Sequence, residues 1–191
     1  MTSTLRNTVI LATIGVSLAA CGSSDPKSAA KATPTQAITA AAASGPLQST
    51  GDFSYRAPKG WQMGTPPTAL IVSVAGDPAD KDGFTDNVNV VKIDPSPARN
   101  FEELEKGTVA ELKKIKATQI KLRPRIKVDG DLAAHVTGKQ NQNGGQFLTD
   151  QFTMIHGKVN YAITFSFSTD VPIADQESIS QSVIATWHWK D

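Results

Sequence analysis

Val159-Asn160-Tyr161-Ala162-Ile163-Thr164-Phe165-Ser166-Phe167-Ser168 alternates apolar residues with small or polar ones without a break. Side chains of a strand point to opposite faces in turn, so the pattern gives a strand with one apolar face. Working outward, His156-Gly157 marks a turn just before it, and Phe147 to Ile155 is a second strand-like run. Asn143-Gly144 and Asp129-Gly130 are hairpin signals, because both central positions of a tight hairpin turn need positive φ. Between them Leu132, Ala134 and Val136 continue the alternation, which places the intervening His135 outward. Consecutive strands joined by such turns pair antiparallel.

Upstream of this meander, Ile120, Leu122, Ile126 and Val128 alternate with Lys121, Arg123, Arg125 and Lys127. Pro124 lacks a backbone donor, which argues for an edge position or an interruption there. Further strands are expected at Phe53 and Tyr55, at Ala69 to Ala75 and at Val88 to Ile93. Two helices break the pattern. Asn100 and Glu103 form a capping-box-like pair, and Phe101, Leu104, Thr108, Leu112 and Ile115 share one face. Glu102, Glu105, Glu111, Lys113 and Lys114 are expected in water on the other side. Pro172 to Thr186 gives a second helix with Ile179, Val183 and Ile184 inward, before Trp187-His188-Trp189. Amphipathic helices need a sheet to cover, so the expected class is α+β: an antiparallel sheet covered by two main helices.

The N-terminal part reads differently. Residues 1 to 6 are polar and end in Arg6, and Val9 to Ala20 is apolar or small but too short to stay across a bilayer. That is a signal peptide, 1–20. It closes on Leu18-Ala19-Ala20-Cys21, a lipobox, which makes Cys21 the site of diacylglycerol attachment. The expected address is the outer, periplasmic-side face of the cell membrane, with the membrane itself as partner. Cys21 is also the only cysteine, so no internal disulfide can form. Gly22 to Thr50 is dominated by Ala, Ser, Thr, Pro and Gly, so 21–50 is expected to be an acylated cysteine and a flexible linker. Residues 51–191 are then the folded domain. A net charge of +1 over 191 residues gives no sign of nucleic-acid binding.

Phe53-Ser54-Tyr55 leading to Ala57-Pro58-Lys59-Gly60-Trp61 resembles the opening of PsbP-like domains. Gly83 to Val90 is similar to their "Phe-x-x-Asn-apolar-x-Val" strand, and Ser178 to Trp189 to their closing helix and aromatic end. With the lipobox and the Ala/Pro/Ser segment, the chain resembles the LpqN/LpqT family of mycobacterial lipoproteins. The resemblance implies a PsbP-like αβα sandwich and a non-enzymatic envelope lipoprotein, an accessory to lipid handling or an interaction module. It supplies no catalytic motif.

The chemistry-bearing residues point the same way. His135, His156 and His188 sit in no nucleophile-elbow pattern, so no catalytic residue is assigned; the alternative is an envelope hydrolase assembled in space. Asp77, Asp80, Asp82 and Asp86 crowd one loop, but an EF-hand register fails at its first and last positions. A solvated turn is favoured over calcium, and no metal or cofactor is expected. Lys121, Arg123, Arg125 and Lys127 would project from one face of a continuous strand. They suit either contact with an anionic surface or protection of a strand edge. Trp61, Phe165, Phe167, Trp187 and Trp189 would line a groove for acyl chains or form plain core. A lipid or glycolipid, or an envelope protein, is the expected partner.

Overall fold

Residues 159–168 lie in the middle of the large sheet, and the rest of the fold is arranged on its two faces. A computed structural model describes residues 35–80, 83–142 and 145–190. The expected signal peptide and lipobox with Cys21, residues 22–34, Asp82 and the expected Asn143-Gly144 turn lie outside the described residues. In chain order the elements are β1 (Thr35–Gln36), β2 (Leu47–Ser49), β3 (Phe53–Arg56), β4 (Gln62–Met63), β5 (Ile71–Gly76), β6 (Asn87–Ile93), α1 (Phe101–Lys114), β7 (Thr118–Leu122), β8 (Arg125–Val128), β9 (Asp131–Gln142), β10 (Gly145–His156), β11 (Val159–Ser168), α2 (Ile173–Ile184) and β12 (His188–Trp189).

The large sheet runs β1-β8-β9-β10-β11-β6-β5-β4, with β7 also paired to β9, and a small sheet runs β12-β3-β2. The meander is as the turns require: Asp129 and Gly130 have φ of 45° and 93°, the doubly positive geometry of a type I′ hairpin. One pair departs from an antiparallel sheet, because β1 adds parallel to β8.

Helix α1 starts where its cap dictates. The Asn100 side chain accepts from the Glu103 N–H at 2.9 Å, one of the donors that a helix N-terminus leaves without an internal partner. It packs on β7, β9 and β10. Helix α2 and the small sheet cover the opposite face, where Phe53 meets Tyr161 edge-to-face at 5.9 Å. The architecture is the expected α+β sandwich with a helix on each side.

The linker boundary is corrected. Residues 35–50 belong to the fold: β1 pairs with β8, the Ala43 N–H donates to Ser182 O across α2, and β2 pairs with β3. A Cβ on Gly45 would overlap the Pro58 carbonyl oxygen, so this strap fits its bed only with glycine there. Low hydrophobicity misled because the strap is held by backbone hydrogen bonds and close contact, with Ala43 its one buried apolar residue. Both faces of the large sheet are also covered. Asn160, Ser166 and Ser168, on the polar side of the β11 pattern, are buried like their apolar neighbours.

Candidate functional site

The basic run is two strands, and the break between them redirects its charges. In β7, Lys121 pairs with Thr137 and Leu122 with Val136. The Arg123 N–H continues this register, donating to His135 O at 2.8 Å. Past Pro124 the register slips by one, since β8 pairs Ile126 with Ala133. A one-residue slip sends side chains to the other face. Arg123 therefore turns to the α2 side, where its guanidinium pairs with Glu177. Arg125 turns to the α1 side, where Nε and Nη2 donate to the two Glu105 carboxylate oxygens at 2.9 and 2.8 Å. Arg125 also lies 4.7 Å from the centroid of the Phe101 ring. The bond to Glu105 raises the Arg125 pKa still further above its ordinary high value, so this cation is permanent.

Four cations on one face is therefore corrected: Arg123 and Arg125 diverge into ion pairs, while Lys121 and Lys127 stay exposed. Glu105, expected in water, is only 9% exposed. Pro124 was the signal for the slip, but alternation alone cannot say on which side of a break the register changes.

Between β7, β10 and α2 lies a pocket of about 100 Å³, lined in part by Lys121, Arg123, Leu148, Asp150, Ile173 and Glu177. At its base the Asp150 carboxylate, 2% exposed, has Oδ1 2.6 Å from His135 Nε2. The His135 ring stacks on Phe152, with centroids 4.3 Å apart. Asp150 Oδ2 and Arg123 Nε have no protein partner among the described residues. The volume is ample for waters to satisfy both, and it lies below the roughly 300–1,000 Å³ typical of pockets for larger organic ligands. His135 thus points inward, contrary to the alternation reading. Asp150 shares its parity with Leu148, Phe152 and Met154, and that inward register was the available sign of a buried acid.

The other histidines also meet aspartates. His156 Nδ1 is 2.7 Å from Asp131 Oδ2 and its ring stacks on Trp189; exposed His188 reaches Asp129 at 3.1 Å. These pairs join the β8–β9 hairpin to the end of β10 and to β12, where Asp129 Oδ2 also accepts from the Trp189 N–H. In the acidic loop Asp77 Oδ1 accepts from the Ala79 N–H and Asp80 Oδ2 from the Asp86 N–H, while Asp86 Oδ1 accepts from the Ser168 N–H. Loop acids that bond their own backbone are what turn geometry asks for. Among the described residues no three His, Cys, Asp or Glu side chains are grouped to hold a metal ion.

The aromatic groove is corrected as well. Trp61, Phe165, Phe167, Trp187 and Trp189 are all buried in one core with Phe53, Tyr55 and Tyr161. Phe53 stacks on Trp187 at 4.2 Å, and Trp187 meets Trp189 edge-to-face at 5.3 Å. The five side chains are thus core rather than an exposed groove lining.

With this geometry in place, the chain can be set beside known proteins. No protein-family profile and no curated protein matches it. Among solved structures it is similar to LpqN of Mycobacterium tuberculosis, a protein involved in cell envelope biogenesis, at 13% identity and a TM-score of 0.55, over 73% of this chain and 83% of that one. It is similar also to cyanobacterial PsbP from Synechocystis sp. PCC 6803, at 13% identity and a TM-score of 0.51, over 87% and 98% of the two chains. A Bacteroides thetaiotaomicron protein matches 73% of this chain at 14% identity and a TM-score of 0.49, and the match spans 45% of that protein's length. The likeness to LpqN and PsbP establishes the fold: an α+β sandwich of the PsbP-like kind.

Proposed function

We propose that the chain is a lipid-anchored cell-envelope protein of the LpqN type, a non-catalytic binding or accessory module on the outer face of the cell membrane. The observation that carries this reading is the order of two features. Leu18-Ala19-Ala20-Cys21 closes an apolar leader, and a domain with the fold of LpqN follows. The non-catalytic reading is favoured by His135, 5% exposed and stacked on Phe152, whose ring no substrate larger than water can approach through the small adjoining pocket. The partner on this reading is an envelope lipid, glycolipid or protein met at the surface, since the aromatic residues are occupied in the core.

Expression of the full chain and of its Cys21→Ala variant in a bacterial host that processes lipoproteins tests the anchor. Acyl labelling and membrane fractionation should both depend on Cys21; an unchanged membrane fraction in the variant would refute the reading. Turnover of a generic ester that disappeared with His135→Ala, the variant remaining folded, would replace the module with a hydrolase.

A further inference from the structure

From the surface around β7 and β8 we infer that this basic edge of the sheet is a docking face for an anionic lipid bilayer. The inference rests on the lipid-anchored reading and adds to it which side of the domain meets the membrane.

Three observations converge. The first is where the chain enters the fold. β1 begins at Thr35, paired with Arg125 at this edge. Thirteen residues separate Cys21 from Thr35, which even fully extended span at most about 45 Å. Chain connectivity thus ties this edge, before any other part of the domain, to the acylated residue.

The second is what remains charged there. The acids Glu105 and Glu177 are taken up by Arg125 and Arg123, and those pairs cancel. Lys114 lies beside half-buried Glu111, whose pKa burial raises. Lys113, Lys116, Lys121 and Lys127 are exposed, Lys121 on the α2 side of this edge and Lys127 on the α1 side, so the charge flanks the edge from both faces, and the sequence from Leu112 to Val128 contains no acid. An exposed lysine is a hydrated point charge on a long stem, which suits diffuse attraction to headgroups better than a fixed bidentate contact. Leu122, 43% exposed beside Lys121, adds an apolar side chain at the same edge.

The third is charge asymmetry across the sheet. The acidic loop with Asp77, Asp80 and Asp86 joins β5 to β6, on the far side of the strand order. Five strand spacings separate β7 from β5, roughly 24 Å at ~4.8 Å each. A Debye length of about 8 Å at physiological salt keeps the two ends electrically distinct. An anionic plane would therefore orient the domain with β7 and β8 toward it and the acidic loop away.

The test uses the mature-length chain carrying Cys21→Ser, so that no acyl chain contributes. It is sedimented with phosphatidylcholine vesicles that do or do not contain phosphatidylglycerol. Binding is expected only with phosphatidylglycerol, and should be lost as salt rises toward 1 M, where the Debye length is about 3 Å. Replacing Lys113, Lys116, Lys121 and Lys127 by Gln should weaken binding roughly fivefold per lysine, on the order of several hundredfold together. The substitutions are at exposed positions and should leave the circular dichroism spectrum unchanged. Lys59→Gln with Lys158→Gln, away from the edge, should have little effect. Absence of binding, equal binding to neutral vesicles, or a quadruple variant that binds like the parent would overturn the proposal. Because the acyl group is absent, such a result leaves the anchor standing if fractionation of the native chain still depends on Cys21. Loss of that dependence would instead remove the reading on which the docking face rests.

Discussion

The two faces of the large sheet are both buried, yet they are built from different chemistry. The face toward α2 and the small sheet carries Phe152, Tyr161, Ile163, Phe165 and Phe167, packed with Phe53, Tyr55 and all three tryptophans. The face toward α1 mixes Thr149, Gln151, Thr153 and Ser166 with Val136, Phe147 and an Ile71–Val91–Ala162 cluster, and closes partly with side-chain hydrogen bonds such as Gln140 Nε2 to Thr149 Oγ1 at 2.7 Å. The difference teaches that alternation separates two interiors here, one aromatic and one more polar that mixes aliphatic with hydrogen-bonded side chains, rather than an inside from an outside. It also predicts where stability is concentrated. Phe165→Ala should cost about 3–5 kcal/mol in urea unfolding, because Phe152 and Phe167 cannot close around the lost ring. Leu104→Ala, on buried α1, should cost less, about 2–3 kcal/mol, since part of its surroundings is polar and can rehydrate. The reverse order would abolish the distinction.

The aromatic face also holds a buried polar pair, His135 and Asp150. Removing the carboxylate leaves the buried His135 Nε2 without its hydrogen-bond partner, so Asp150→Ala should cost about 2–3 kcal/mol. A loss below about 1 kcal/mol would show that water from the adjoining pocket replaces the carboxylate, and that this corner behaves like the polar face. His135→Phe in the same experiment tests the converse, because Asp150 then lacks its one side-chain partner of known geometry.

Much of this was legible in the sequence. The hairpin turns, the capped helix at Asn100 and the closing helix follow from local chemistry, which acts on adjacent residues and is written in their order. What depends on distant partners was not. His135 alternates with Ala134 and Val136 and so reads as exposed, but α1 covers one face of β9 and the aromatic core the other, and both parities are buried. Residues 35–50 look too polar to fold, yet β3, β8 and α2 supply the backbone partners they need. The basic run reads as one strand until the slip at Pro124 is seen, and only then do Arg123 and Arg125 find different acids.

A third effect comes from Tyr55, whose hydroxyl is 2.7 Å from Ser73 Oγ within the aromatic core. Burial pushes its pKa up to about 12, against a Ser73 hydrogen bond that lowers it, from an ordinary value of 10.0. A phenol whose folded pKa exceeds its unfolded one binds its proton more tightly when folded. Its contribution is then complete below about pH 10 and is lost as pH rises toward 12, by about 2–3 kcal/mol. Tyr55→Phe should flatten this alkaline decline while losing about 1 kcal/mol near neutrality with the hydrogen bond. Tyr161, also raised chiefly by burial, should leave a residual slope. An unchanged decline in Tyr55→Phe would mean that the phenol ionises as readily in the fold as in the open chain.

The smallest effect tests how α1 is held on the polar face. There the helix relies on its own termini as well as on contacts: Asn100 accepts from the Glu103 N–H, and the Glu103 carboxylate is gripped by Arg99, with Nη2 2.6 Å from Oε1. The Arg99–Glu103 pair is fully at the surface and adds little. The cap itself satisfies a donor that would otherwise have only water, so Asn100→Ala should cost about 1 kcal/mol. Asn100→Asp should be close to neutral, since it keeps the acceptor and puts a favourable charge at the helix N-terminus, offset by repulsion from Glu102 and Glu103. The denaturation midpoint decides between these outcomes. A loss for Asn100→Ala as large as that of Phe165→Ala would mean that seating α1, rather than closing the aromatic core, limits the stability of the domain.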